Sequence, residues 1–226
     1  MKPCLINDRW EILLPEHRAN RKEWPWWEKE RLASMFETTK KGDRVFYVGA
    51  EVGDMAALLA KWGAEMYLFE PNEKAWPQIK AIWEANNLIS PAVAWQGFIS
   101  DKTDPKNQLL DGSWPESASG PIVSDHGFKE LADPGEQPQL KIDDIGVSPD
   151  MITLDVEGAE GRVLRGAEGT LRKHHPRIYL SLHYEFMYRI YNELWFELCE
   201  WIRGLGYKEV VLGNQPHEGH ILYVAE

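Results

Sequence analysis

The sequence predicts a doubly wound α/β fold, with a mostly parallel seven-stranded sheet finished by a C-terminal antiparallel hairpin. Three observations predict it. From Asp43 onward, short β-branched and aromatic runs alternate with helical stretches, the pattern of a parallel sheet covered on both faces. The first run ends in a turn carrying Gly49 and Gly53, directly before a helix. The last two runs are joined by the short polar segment 213–219, which allows only an antiparallel return.

The first strand reads as Arg44 to Val48, followed by a helix from Asp54 to Trp62. The second, Met66 to Phe69, ends on Glu70-Pro71-Asn72 ahead of a helical stretch from Glu73 to Asn87, where Pro77 falls early enough to be tolerated or to kink it. Val93 to Ile99 reads as the third strand. Residues 101–121, rich in Asp, Pro, Gly and Ser, read as a long surface connection, with a short strand expected at Pro121 to Asp125 and another loop from Ala132 to Gln139. Met151 to Leu154 is the fourth strand, a helix follows from about Ala159 to Lys173, and Arg177 to His183 is the fifth strand. An amphipathic helix, Tyr191 to Arg203, precedes the hairpin of Tyr207 to Leu212 and His220 to Val224. Residues 1–42 stand apart as a Trp-rich N-terminal arm, read as a loose segment and then a helix from about Trp26 to Thr38, with residues 43–226 as the main domain. The early tryptophans, Trp10, Trp24, Trp26 and Trp27, suit either of two roles: packing a helix on the core, or covering a substrate cleft as a lid.

Composition narrows the partners. A chain of 226 residues with 25 basic and 36 acidic side chains carries a net charge of -11, which repels phosphate backbones and anionic lipid. Nucleic acid and membrane are therefore not expected partners. Cys4 and Cys199 lie far apart with no metal-ligand spacing and read as reduced thiols of a soluble, cytoplasmic protein. No charged-then-apolar leader opens the sequence and no apolar run approaches a bilayer-spanning length.

In an open α/β sheet, ligands bind outside the carboxyl ends of the strands. At the first strand end, the turn Gly49-Ala50-Glu51-Val52-Gly53-Asp54 lets the backbone approach a ligand, and it lacks the Gly-x-Gly-x-x-Gly spacing that seats a pyrophosphate. At the second, Glu70 is a carboxylate placed to accept two ribose hydroxyls. Ile99 and Ser100 at the third offer an apolar surface and a polar tip for a base. The fourth strand end carries the densest polar group, Asp155-Val156-Glu157-Gly158-Ala159-Glu160-Gly161; Asp155 and Glu157 read as functional and Glu160 as an ordinary cap on a solvated helix face. His183, at the fifth strand end, is the candidate base beside them. The pair His174 and His175 suits a helix C-terminus and needs no function. Asp125 and His126, with Asp155 and Glu157, are the groups that would assemble an oxygen-rich metal site, but no spacing demands one and no metal ligand is assigned.

At these positions the sequence resembles the FkbM-type methyltransferase family. The carrying motifs are Val48-Gly49-Ala50-Glu51-Val52-Gly53-Asp54, Phe69-Glu70-Pro71-Asn72, and above all Leu154-Asp155-Val156-Glu157-Gly158-Ala159-Glu160 with Val163-Leu164-Arg165-Gly166-Ala167 behind it. The resemblance spans roughly residues 44–184 and implies a Rossmann-like class I methyltransferase that uses S-adenosyl-L-methionine. It further implies a hydroxyl of a small-molecule or carbohydrate-like substrate as methyl acceptor. The implied cofactor residues are Tyr47, Gly49, Ala50, Glu51, Gly53 and Asp54 at the methionine end, Glu70, Pro71 and Asn72 at the ribose, Ile99 and Ser100 at the adenine, and Asp155 at the amino group. Asp155, Glu157 and His183 are the catalytic set. Four positions depart from the family pattern: Tyr47 replaces an aspartate, Glu51 an asparagine, Thr153 a lysine and Ser181 a glutamate. The joint loss of that lysine and glutamate reads as a compensated change or a divergent substrate. These departures keep a second reading open, a non-catalytic cofactor-binding or partner-binding module; a nicotinamide-dependent oxidoreductase lacks its glycine fingerprint.

Overall fold

The computed structural model describes residues 1–104, 110–124, 137–214 and 218–226. The N-terminal segment is ordered into a hairpin, where the sequence suggested a loose arm. Strands β1 (Lys2–Ile6) and β2 (Trp10–Leu14) pair antiparallel, with Asn7 and Asp8 at φ 52° and 54° in the turn between them. Alternate residues Cys4, Ile6, Trp10, Ile12 and Leu14 are buried, which anchors the hairpin on the core. A short helix α1 (Glu16–Ala19) follows, and α2 (Lys29–Thr38) starts three residues later than the sequence suggested, after Glu28 in a left-handed conformation.

The central sheet is built from β3 (Arg44–Val48), β4 (Glu65–Phe69), β5 (Val93–Trp95), β8 (Met151–Leu154), β9 (Arg177–Leu182), β10 (Tyr207–Asn214) and β11 (Gly219–Ala225). Its order is β10-β11-β9-β8-β3-β4-β5, with β3, β4, β5, β8 and β9 parallel and β11 antiparallel to both its neighbours. The expected seven-stranded sheet and terminal hairpin are thus present, and the second hairpin strand is the one inserted beside β9. Side-chain alternation splits each buried strand between two cores. Val45, Tyr47, Leu68, Met151 and Tyr179 face a layer formed by the hairpin, α2, α3 (Asp54–Lys61) and α4 (Trp76–Ala85). Phe46, Val48, Phe69, Ile152, Leu154 and Leu180 face the other layer, which includes α5 (Glu160–Arg165), α6 (Glu168–His174), α7 (Tyr184–Tyr191) and α8 (Trp195–Gly204).

Several elements are shorter or more divided than their hydrophobic runs suggest. The third strand stops at Trp95; Phe98–Ile99 (β6) leaves the sheet to pair with Gln139–Leu140 (β7). The break falls at Gly97, where a Cβ would lie 2.6 Å from the Trp95 ring. The helix expected over 159–173 divides at Gly166, packed against the Ser100 carbonyl; the helix expected over 191–203 starts four residues later, at Trp195, and an unexpected helix, α7, fills Tyr184–Tyr191 and ends at Asn192, which has φ 53°. Residues 121–124 form no strand; Asp125, His126 and most of the Ala132 to Gln139 loop lie outside the described residues. Pro77 sits in the first turn of α4, where its missing N–H is harmless. Cys4 and Cys199 are buried free thiols, and no helix among the described residues is long and apolar enough to cross a membrane.

Candidate active site

The carboxyl ends of β3, β4, β8 and β9 converge on a cleft of about 410 Å³, at the place where the chain runs from β3 to β4 on one side and returns through β8 on the other. The floor is the turn after β3. The backbone N–H groups of Gly49 and Ala50 both donate to the Phe69 carbonyl, at 2.9 and 3.2 Å. Gly49 has φ +80° and a Cβ there would stand 1.8 Å from the Asp155 backbone oxygen, so glycine alone fits. Gly49→Ala is therefore expected to lower the thermal midpoint by at least about 2–4 °C, since the left-handed backbone alone costs roughly 1–2 kcal/mol. A calorimetric scan of the variant that overlays on the parent would disprove this contact.

Glu70 closes the end of β4 and is 6% exposed. Its Oε2 accepts from the Glu51 N–H and its Oε1 from the Asn72 N–H, each at 2.8 Å. Burial pushes its carboxyl up to about 7 despite those two donors. Each oxygen keeps further acceptor capacity toward the cleft, which Pro71 and Asn72 also line. Ile99 lines the cleft beside Gly97 and Phe98, whereas Ser100 is buried with its Oγ donating to Asp101 at 3.0 Å. Asp101 is in turn held by Arg162.

The fourth and fifth strand ends bring Asp155, Glu157 and His183 together. The His183 Nε2 lies 3.6 Å from an oxygen of Asp155, 3.6 Å from one of Glu157 and 3.9 Å from one of Glu218. Its Nδ1 is 2.7 Å from Glu160 Oε1, which also accepts from the Gly158 N–H at 3.1 Å. Glu160 is 0% exposed, so the expectation of a solvated helix cap is wrong: its carboxylate is turned inward to hold the imidazole. Glu157 has φ 51° and Gly158 φ 102°, and a Cβ on Gly158 would press on Phe186 at 2.7 Å. This strained turn aims the acids at the cleft. Burial works against a charge on His183, but the Glu160 hydrogen bond and the Asp155, Glu160 and Glu157 charges outweigh it and raise the imidazole to about 10. Desolvation raises Asp155, against the pull of His183 and Arg31. Glu218 is positioned by His220, whose Nε2 lies 2.8 Å away.

The N-terminal segment completes one wall. Arg31, buried, pairs with Glu28 at 2.5 Å, donates to Thr153 Oγ1 at 3.0 Å and stands 3.7 Å from Asp155. Trp27, Glu28 and Arg21 line the cleft; Trp10 and Trp24 are core residues and Trp26 is 63% exposed. Two of the four early tryptophans thus pack in the core, and one, Trp27, lines the cleft. Arg18 makes a buried ion pair with Asp54, which withdraws Asp54 into a small adjoining recess lined also by Tyr47 and Ala50. Of the residues the sequence points to, Gly49, Glu51, Glu70, Pro71, Asn72, Ile99, Asp155, Glu157 and His183 meet at the main cleft. Tyr47, Ala50, Gly53, Asp54 and Ser100 stand behind its wall. Glu28, Arg31, Glu160 and Glu218 are the participants that sequence reasoning missed. His174 ends α6 and His175 caps it, as expected.

Comparisons with known proteins bear on the family and the fold. The model of the family described as the methyltransferase FkbM domain matches residues 48–209. No curated protein matches the sequence. Among solved structures, the chain is similar to an FkbM methyltransferase from Methylobacillus flagellatus KT, with TM-score 0.55 and 17% identity over 80% of this chain and 43% of that one. This chain therefore spans less than half of that protein's length. It is also similar to a precorrin-6y C5,15-methyltransferase from Geobacter metallireducens GS-15, with TM-score 0.53 and 10% identity over 95% of this chain and 94% of that one. At such identities these two likenesses establish the fold.

Proposed function

The chain belongs to the FkbM methyltransferase domain family, and from that premise we propose that it uses S-adenosylmethionine to methylate a hydroxyl of a small or carbohydrate-like acceptor. The observation that carries the reading is the juxtaposition of a glycine turn and a buried strand-end carboxylate on one cleft. The fit to the cofactor rests on two features: Gly49 lines the cleft and, having no Cβ, lets its turn close against the Asp155 backbone, and Glu70 has acceptor capacity beyond the backbone donors that fix it. Gly49, Ala50, Glu51 and Gly53, with Tyr47 and Asp54 behind them, would hold the methionine end. Glu70, Pro71 and Asn72 would hold the ribose, Ile99 and Ser100 the adenine, and Asp155 the amino group. The cofactor, when bound, supplies an activated methyl group. The chain supplies position and a place for the acceptor's proton. That place is the cluster of Asp155, Glu157 and His183, with Glu160 fixing the ring so that Nε2 faces the cleft. Residues 1–42 act as a cap, since Trp27 and Glu28 close one wall. The carboxylates around the cleft favour a neutral acceptor over nucleic acid.

Two measurements test the reading. Glu70→Ala leaves the ribose hydroxyls without their acceptor and is expected to weaken S-adenosylmethionine by about 1–3 kcal/mol in calorimetry; unchanged affinity would remove Glu70 from the site. In the parent, affinity should also fall about tenfold per pH unit below pH 7, because the ribose hydroxyls donate to the ionised carboxylate and Glu70 takes up a proton near 7. The same raised carboxyl has the opposite consequence for the unliganded fold. Between 4.5 and about 7 the folded chain binds a proton that the unfolded chain releases, so this contribution to stability is lost as pH rises through 7. A pH-independent affinity would contradict an ionised Glu70 at the ribose. Formation of S-adenosylhomocysteine with a panel of polyols and sugars separates an enzyme from a non-catalytic binding module.

A further inference from the structure

We propose that Asp155, His183 and Glu218 form a binding site for one divalent cation of the Mn²⁺ or Zn²⁺ kind. One ligand atom from each residue, the His183 Nε2 and a carboxylate oxygen from Asp155 and Glu218, lies within 4.8 Å of the other two. Two ligands each about 2.0–2.2 Å from an ion stand no more than about 4.4 Å apart. The Nε2 distances, 3.6 Å to Asp155 and 3.9 Å to Glu218, fall inside that limit and outside hydrogen-bond length. The imidazole is 8% exposed and its Nε2 is aimed into the group. It is also oriented as metal-binding histidines are: its far nitrogen is held by a buried carboxylate, Glu160, at 2.7 Å. Glu218 is fixed by His220 at 2.8 Å, so two of the three ligands have supports of their own. Asp155, Glu157, Glu160 and Glu218 surround one imidazole, and Glu160 Oε2 is buried without a hydrogen bond, an excess of negative charge that a cation would relieve. One nitrogen with two carboxylates favours Mn²⁺ or Zn²⁺ over Ca²⁺ and Mg²⁺, which take oxygen. The ligands come from the ends of β8 and β9 and from the segment before β11, so no local spacing announces the site.

The binding site stands on these residues alone; its use rests on the methyl-transfer reading. An ion held there would supply Lewis-acid polarisation of an acceptor hydroxyl, and Glu157, 3.6 Å from the His183 Nε2, would take the proton that the hydroxyl gives up on methylation.

The test uses the full chain, stripped by chelation and titrated with Mn²⁺ in the absence of cofactor. Paramagnetic resonance should count one tightly bound Mn²⁺ per chain, displaced by Zn²⁺, with a nitrogen coupling from His183. Glu160→Gln should weaken the ion about 10- to 100-fold, Glu218→Gln at least as much, and His183→Asn should abolish the nitrogen coupling while far-ultraviolet dichroism stays that of the parent. The coupling in the parent needs no variant and so does not depend on any variant folding. Absence of a one-to-one ion, or binding without nitrogen coupling, overturns the proposal. A chain that binds S-adenosylmethionine but no ion overturns this site alone, whereas one that binds the ion and not S-adenosylmethionine supports it and removes the methyl-transfer reading.

Discussion

His183→Ala is expected to lower turnover by about 100- to 10,000-fold, the usual contribution of a group that manages the nucleophile's proton, while S-adenosylmethionine binds as before. The ring stands at the centre of the acceptor-side cluster, with Asp155 and Glu157 each 3.6 Å from Nε2. Its ion-pair and hydrogen-bond partners are Asp155, Glu157, Glu160 and Glu218, of which only Asp155 is proposed to touch the cofactor, so affinity should change far less than turnover. Asp155→Ala should differ, because Asp155 lines both recesses and its carboxylate is the group proposed to hold the cofactor's amino group; turnover and affinity should fall together. Removing the imidazole also leaves buried Glu160 with only the Gly158 N–H, so His183→Asn is the needed comparison: its amide can donate to Glu160 and preserve the fold. Single-turnover transfer and calorimetry, run side by side, read the two effects. Full activity of both His183 variants on the true acceptor would move the proton to Glu157 without help from the ring.

The sheet was legible because its strands are buried on both faces and therefore read as short continuous apolar runs. The cofactor side of the cleft was legible for a related reason: a strand end, a glycine turn and an acid are local in sequence. What escaped was non-local or disguised. The β1–β2 hairpin carries alternation of the right period and an Asn7-Asp8 turn of the kind that accepts positive φ, but Pro3 and two five-residue strands make that signal thin. Glu160 looked like an ordinary acid in a helix's first turn, and only the return of β9 brings His183 against it. Arg31 reaches Thr153 across 122 residues of sequence, a contact that no periodicity or motif encodes.

That contact carries the other large expected effect. Arg31→Met should destabilise the fold by roughly 3–5 kcal/mol, because removing one member of a buried ion pair leaves its partner's charge uncompensated; for a chain of this size the thermal midpoint falls by roughly 6–20 °C. Arg31 is 1% exposed and pairs with Glu28, whose side chain is 6% exposed, so solvent cannot replace the lost cation. The family resemblance implies a lysine where this chain has Thr153 and a glutamate where it has Ser181. Here a guanidinium delivered by α2 donates to the Thr153 hydroxyl and sits beside Asp155, while Ser181 Oγ is buried without a partner. The cation is supplied by α2, from the layer that Thr153 faces, and keeps a positive charge next to Asp155. The substitution can therefore be reversed: Arg31→Met combined with Thr153→Lys returns a cation to the same side of β8 and should recover most of the lost stability. Differential scanning calorimetry of the single and double variants decides the matter. A single variant melting within about 2 °C of the parent, or a double variant no better than the single, would mean that the guanidinium does not stand in for the missing lysine.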